Sequence, residues 1–265
     1  SELVECGEPA VLNPDAAIQA YRAARRRLLL MDYDGTLVRY FRSPEEAAPS
    51  EAILDLLCRL SADTTNCVAL VSGRRRDDLD SWFGGIPGLW LAAEHGVLAR
   101  PANSLSWQRL GSGAGAECLP RVRAVMERYL KLAPGSFLEE KEHSIAWHYR
   151  LAPAEVGERL ARDLVAEVDA LPLGGALRAV CGKKIVEARP VWARKGLVLP
   201  LLAGLCGTRD FRLAAGDDAT DEDLFQAAGS EWWTIHVGSG PSCARFSAAG
   251  PQDFVEMLGR MAAGA

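Results

Sequence analysis

The chain has 265 residues, 49% hydrophobic and 25% charged, with a formal net charge of -5. That length supports one large domain or a core with a smaller insert, and the acidic balance argues against a nucleic-acid footprint. No run of about 18 apolar residues suggests a membrane span, and the 7 cysteines are scattered without C-x-x-C spacing, indicating neither a disulfide framework nor a zinc site.

Ser1-Glu2-Leu3-Val4-Glu5 lacks the basic and apolar regions of a signal peptide, so the chain is expected to be cytoplasmic. Asn13-Pro14-Asp15 predicts a capped helix over 13–27 that ends in Arg25-Arg26-Arg27. These charges complement the helix dipole; a binding patch is the alternative. Leu28-Leu29-Leu30-Met31 reads as a buried strand of a parallel sheet and runs into Asp32-Tyr33-Asp34-Gly35-Thr36. Two carboxylates at the end of such a strand, before a glycine that frees the backbone, sit where open α/β sheets place ligands. An Asp-rich turn is the competing reading. Pro49-Ser50-Glu51 opens a helix with apolar positions Ile53, Leu54, Leu56, Leu57 and Leu60. Cys67 to Val71 forms a second buried strand, ending in Ser72-Gly73-Arg74, and a helix starts at Asp77-Asp78-Leu79. Leu89 to Ala93 is a third strand, ending in Glu94-His95-Gly96. This alternation predicts an α/β fold with a doubly wound, Rossmann-like parallel sheet.

Residues 101–115, rich in Ser, Gly, Ala and Asn, read as a loop or hinge. Val122, Val125, Met126, Tyr129 and Leu130 recur at helical spacing until Pro134-Gly135. Phe137 to Lys141 and Ser144 to Arg150 read as paired strands, a helix spans 153–170, and Leu177 to Cys181 pairs with Lys183 to Arg189 around Gly182. This is a small α+β insert over 103–187, enclosed by a core of 1–102 and 188–265. The parallel pattern returns with Lys195-Gly196, the apolar helix Leu197 to Leu205, the strand Phe211 to Ala215 before Gly216-Asp217-Asp218-Ala219-Thr220-Asp221, the strand Trp233 to Val237 and a helix over Asp253 to Met261. Substrate is expected between core and insert.

Strand ends and helix starts thus supply Asp32, Asp34, Ser72, Lys195, Asp217, Asp218 and Asp221. Clustered carboxylates repel one another unless a hard cation sits among them, and magnesium, which takes oxygen ligands and bridges carboxylates to phosphate, is the natural occupant. The lysine and the serine hydroxyl then have a partner in phosphate oxygens. An aspartate can also act as a nucleophile. Helix capping competes for Asp221 and Glu222 but does not explain Asp217-Asp218; a solvated surface lysine competes for Lys195.

D-x-D-G-T, S-G-R, a lysine before a helix and G-D-D-x-T-D-E, in this order, resemble the haloacid dehalogenase superfamily of phosphohydrolases. Glu94-His95-Gly96, Glu139-x-Lys141, His148-Tyr149-Arg150 and Lys183-Lys184-x-Val186-Glu187-x-Arg189-Pro190 are similar to trehalose-6-phosphate phosphatases, and Tyr21-Arg22-x-Ala24 to the phosphatase half of bifunctional trehalose-phosphate synthase/phosphatases. The resemblance implies a magnesium-dependent phosphatase of a small sugar phosphate, with a synthase domain or subunit as partner and no nucleic-acid or membrane partner. It implies Asp32 as nucleophile, Asp34 as general acid and then base, and Ser72 and Lys195 as holders of the phosphoryl group. Magnesium would be bound by Asp32, the Asp34 carbonyl and Asp217, supported by Asp218. Gly73, Arg74, Glu94 and His95 in the core, and Glu139, Lys141, His148, Arg150 and Glu187 in the insert, which would be a cap, become candidate substrate-binding residues. A solvated charge pair competes for Glu139 and Lys141, and a structural role for His148. His143 and His148, five apart on a strand, face opposite ways and do not make a metal pair. One departure stands out: Val191-Trp192-Ala193-Arg194 replaces the family's usual glycine and asparagine before the lysine, and Arg194 is a candidate phosphate contact. Glucosyl-glycerol or sucrose phosphate is an alternative substrate, and a non-catalytic phosphatase-like module an alternative role.

Overall fold

A computed structural model describes residues 6–41, 45–206 and 210–264, so the Ser1–Glu5 stretch lies outside the described residues. In chain order the first part runs β1 (Ala10–Val11), α1 (Pro14–Ala23), β2 (Arg27–Met31), α2 (Glu51–Ala62), β3 (Asn66–Val71), α3 (Arg76–Phe83), β4 (Leu89–Ala93), β5 (Leu98–Arg100) and β6 (Gln108–Arg109). The middle holds α4 (Leu119–Leu132), β7 (Phe137–Glu140), β8 (Ile145–His148), α5 (Ala154–Asp169), β9 (Leu177–Gly182) and β10 (Ile185–Pro190). The chain then supplies α6 (Val198–Cys206), β11 (Phe211–Gly216), α7 (Glu222–Ala228), β12 (Trp233–Val237), β13 (Phe246–Ala248) and α8 (Pro251–Ala262).

Two compact units result: 1–110 with 194–265, and 111–193. The expected limits were 102/103 and 187/188. They lie further along because β6 still pairs with β5, and because β10 keeps pairing with β9 through Pro190.

The larger unit is a nine-stranded sheet in the order β1-β13-β12-β11-β2-β3-β4-β5-β6. The strands from β1 to β4 in that order pair in parallel, whereas β5 and β6 return antiparallel, β6 lying within the stretch read as a loop. Leu28 to Met31 are all buried, as expected of a strand covered on both faces. Met31 aligns with Leu70 and Ala215, and Leu70 with Leu91, so β2, β3, β4 and β11 end on one edge of the sheet. Ser50 caps α2, whose Ile53, Leu56, Leu57 and Leu60 are buried, each contributing on the order of 1.5–3 kcal/mol.

The helix predicted over 13–27 stops at Ala23. Arg26 and Arg27 are committed to the sheet: the Arg26 carbonyl accepts from Phe211, and Arg27 N–H donates to Thr65. The Arg27 guanidinium reaches Asp63 at 3.1 Å and Thr65 at 2.8 Å, so it serves the sheet margin and not a helix dipole. Cys6 and Cys243 form a disulfide across 237 residues, correcting the expectation of none; a pairing that remote leaves no spacing signature.

The smaller unit is a four-stranded sheet, β7-β8-β10-β9, antiparallel throughout. One face packs Trp147 and Val186 against Val122, Met126 and Leu164 of α4 and α5. Among the described residues no helix is long and apolar enough to cross a membrane.

Candidate active site

The common strand edge gathers the core residues singled out by their motifs. Backbone bonds join the strand ends: Asp32 N–H donates to Ala215 O, Ser72 N–H to Ala92 O and His95 N–H to Ser72 O, each at 2.9 Å. Gly35 has φ +82°, and a Cβ there would strike the Asp217 carboxylate and the Tyr40 ring, so the turn after Asp34 tolerates only glycine.

At the centre, Lys195 Nζ donates to Asp32 Oδ1 and Asp221 Oδ1, both at 2.7 Å, with all three side chains buried. Thr36 Oγ1 donates to Asp32 Oδ2 at 3.2 Å, and the Tyr40 hydroxyl to Asp217 Oδ2 at 2.8 Å. Asp221 Oδ2 accepts the Asp217 and Asp218 N–H groups at 3.0 and 3.2 Å. Helix capping is the competing reading for Asp221. Its carboxylate instead turns inward to the lysine and the two amides, in space that only glycine at 216 leaves open. Asp218 binds Thr220 through N–H and hydroxyl at 2.8 and 2.6 Å, which stiffens the same turn.

Burial pushes the Asp32 carboxyl well up, with Asp221, Asp217 and Asp218 adding to it and Lys195 opposing. Burial likewise raises Asp221 to about 7 against the pull of Lys195. Burial disfavours the Lys195 cation, but Asp221 and Asp32 outweigh it and hold the ammonium well above its usual range. Two carboxylates thus pair with one ammonium, and oxygens of Asp32, Asp217 and Asp221 lie within 4.8 Å of one another. A buried, all-oxygen, net-negative donor set fits a hard divalent cation such as magnesium. Asp221 belongs to the carboxylate cluster read from the sequence but not to the magnesium ligands that the family resemblance implies.

Asp34 stands apart from this centre. Arg74 Nε and Nη2 donate to its two carboxylate oxygens, each at 2.7 Å, and the guanidinium lies 4.6 Å from the Trp82 ring centroid. Arg74, expected to bind substrate, is therefore engaged with Asp34. Ser72 is buried and its Oγ accepts the Arg74 N–H at 3.2 Å. A Cβ on Gly73 would meet the His95 ring at 2.6 Å, so that glycine lets the imidazole approach. Glu94 and His95 are buried with φ of +49° and +57°, a left-handed backbone state that residues other than glycine adopt uncommonly.

In the smaller unit the register Glu139–Ala146–Glu187 puts both glutamates on the open face of the sheet. His148 meets Glu139 at 2.8 Å; Lys141 and Ser144 donate to Glu187 at 2.6 and 2.9 Å. Lys141 and His148 outweigh burial and hold the Glu139 carboxyl down at about 2. The Lys141–Glu187 pair is buried and the His148–Glu139 pair half-buried, so neither is a solvated charge ladder. Arg150 is separated from them: it donates to Lys183 O at 2.9 Å and lines a cleft of about 540 Å³ with Glu158 and Arg162 of α5. Arg189, part of the family-like motif but not among the substrate-binding candidates read from the sequence, is 5% exposed, with Nε and Nη1 lacking hydrogen-bond partners among the described residues. Its place two residues after Glu187 on one strand was the available signal.

Trp192 Nε1 donates to Ala114 O at 2.9 Å, its ring lying against Gly111, whereas the Arg194 side chain is exposed and forms no ion pair among the described residues.

Residues 30–250 match the family model described as Trehalose-phosphatase. The chain is 39% identical over 235 residues to a bifunctional trehalose-6-phosphate synthase/phosphatase of Thermoproteus tenax, covering 89% of this chain and 32% of that protein. It is 34% identical over 233 residues to a trehalose-phosphatase of Zygosaccharomyces rouxii, covering 81% and 26%. It therefore spans about a third or less of those relatives. Its structure is similar to the trehalose-6-phosphate phosphatase C-terminal domain of C. albicans, with a TM-score of 0.90 and 29% identity over 97% of this chain and 99% of that one. The acid–lysine cluster and the polar sheet face lie inside the matched span, and on these matches the chain belongs to the trehalose-phosphatase family.

Proposed function

We propose that the chain hydrolyses trehalose 6-phosphate to trehalose and phosphate, with the reaction centred on Asp32. The observation that carries this reading is the buried Asp32–Lys195–Asp221 group with Asp217 beside it. An Asp32 oxygen attacks phosphorus and the bond to the sugar oxygen breaks, leaving an aspartyl-phosphate. Asp34 gives its proton to the departing oxygen, then takes one from the water that attacks the phosphorus and releases phosphate. Because Arg74 holds both Asp34 oxygens at rest, that pair must open for the proton to be delivered. Ser72 and Lys195 hold phosphoryl oxygens. Asp32, Asp217 and the Asp34 carbonyl would hold magnesium, with Asp218 in support and Asp221 within reach. When bound, the ion offsets the charge of the phosphoryl oxygens.

Glu139, Lys141, His148 and Glu187 offer the cap's donors and acceptors to sugar hydroxyls, and Arg189 adds a guanidinium with uncommitted nitrogens. Arg150, on its separate cleft, is left out of this set. The partial coverage of the Thermoproteus tenax relative supports a synthase domain or subunit as partner. Phosphate release is to be measured from trehalose 6-phosphate, sucrose 6-phosphate, glucosyl-glycerol phosphate and glucose 6-phosphate, with magnesium and with chelator. Trehalose 6-phosphate is expected to turn over at least about tenfold faster than the others, and only with magnesium, since hydroxyl-reading sites reject poorly matched sugars strongly. Equal rates would refute the cap reading, and no release from any ester would refute the activity.

A further inference from the structure

We propose that Cys6 and Cys243 form a redox modification site, opened by a dithiol reductant, that clasps the loop carrying Asp217 to Asp221. The bond ties the segment before β1 to the turn between β12 and β13. Both cysteines are half-buried, so a small dithiol can reach them. The turn around Cys243 is anchored on Glu222: Ser242 Oγ donates to Oε1 and Cys243 N–H to Oε2, both at 2.7 Å. Ser242 N–H donates to Gly7 O at 2.9 Å, so the segment beside Cys6 closes the other side. Glu222 is the first residue of α7, and its neighbour Asp221 holds Lys195 and the Asp217 and Asp218 amides. One covalent bond thus fixes the turn that grips the residue next to the acid centre.

In the opening step a thiolate of the dithiol attacks one sulfur of the pair, and its second thiol then displaces the mixed disulfide. The Cys6–Cys243 bond takes up two electrons and two protons to give two thiols, and the reductant leaves as its own disulfide. Opening releases the segment before β1 and removes a long-range constraint on the unfolded chain. The Glu222 contacts then lose their fixed backing, and the acid loop opens locally more often.

The test is independent of the phosphatase reading. Wild-type protein oxidised with glutathione disulfide is compared with the same protein reduced by dithiothreitol and with Cys6→Ser, which breaks this bond alone. Iodoacetamide is expected to label Cys6 and Cys243 only after reduction. Amide hydrogen exchange over residues 216–226 is expected to quicken at least about tenfold in the reduced and Cys6→Ser proteins, with α5 unchanged. Labelling of either cysteine in the oxidised protein would overturn the bond, and unchanged exchange over 216–226 would overturn the clasp. If Cys6→Ser does not fold, Cys243→Ser, which removes the same bond and leaves the Cys67 disulfide in place, decides the outcome.

Discussion

Lys195→Met replaces the buried ammonium with an apolar group of similar reach, leaving Asp32 and Asp221 each without the cation that lies 2.7 Å away. Side-chain exposures of 3%, 6% and 0% for Lys195, Asp32 and Asp221 leave water little access to compensate. Removing one member of a buried ion pair costs about 3–5 kcal/mol. For the larger unit that corresponds to a urea midpoint lower by roughly 1–2 M. The pH dependence tests the cause. Burial already raises both carboxyls in the presence of the lysine, and its loss raises them further. A raised carboxyl favours the folded state while it is protonated, and that contribution fades as pH rises through the folded value. The stability gap between wild type and variant is therefore expected to widen from pH 5 to pH 9, measured by urea unfolding at each pH. A gap below about 1 kcal/mol, or one independent of pH, would refute the idea that Lys195 neutralises this cluster. Phosphate release is expected to fall by about 10²- to 10³-fold, as for loss of a preorganised charge at a reacting group.

Gly35→Ala forces a Cβ against Asp217 and Tyr40 at φ +82°, so it is expected to destabilise by about 1–3 kcal/mol and to lower the thermal midpoint by several degrees in calorimetry. Glu139, held near 2 against an ordinary 4.5, stabilises the folded cap at any pH above about 4.5, and that contribution is lost as pH falls toward 2. It amounts to at most about 3 kcal/mol, and Glu139→Gln is expected to flatten the acid limb of the unfolding curve in that window; an unchanged limb would remove Glu139 from the account of acid stability.

Sequence reading found the strands because parallel β2, β3, β4 and β11 are continuous apolar runs, and the polar residues at their ends are brought to one edge by the shared register. It lost what depends on pairing rather than pattern. β1, β6 and β13 are two or three residues long and carry no periodicity. Asp221 fits a first helical turn by composition, and only the bare backbone of Gly216 reveals the inward turn of its carboxylate. The family resemblance made Arg74, after Ser72-Gly73, a candidate substrate-binding residue, whereas its bidentate partner Asp34 lies 40 residues earlier. Arg150 alternates correctly along its strand, yet β8 ends at His148 and the chain turns it toward Lys183.

Asp32→Asn is the most direct test of Asp32 as the attacking group. Lys195 keeps its 2.7 Å partner Asp221 in this variant, so the fold is expected to remain, checked by circular dichroism and the thermal midpoint. Phosphate release from trehalose 6-phosphate with magnesium is expected to fall by at least about 10³-fold, because an amide does not form the phospho-enzyme. Release at the wild-type rate from a folded Asp32→Asn protein would contradict the mechanism.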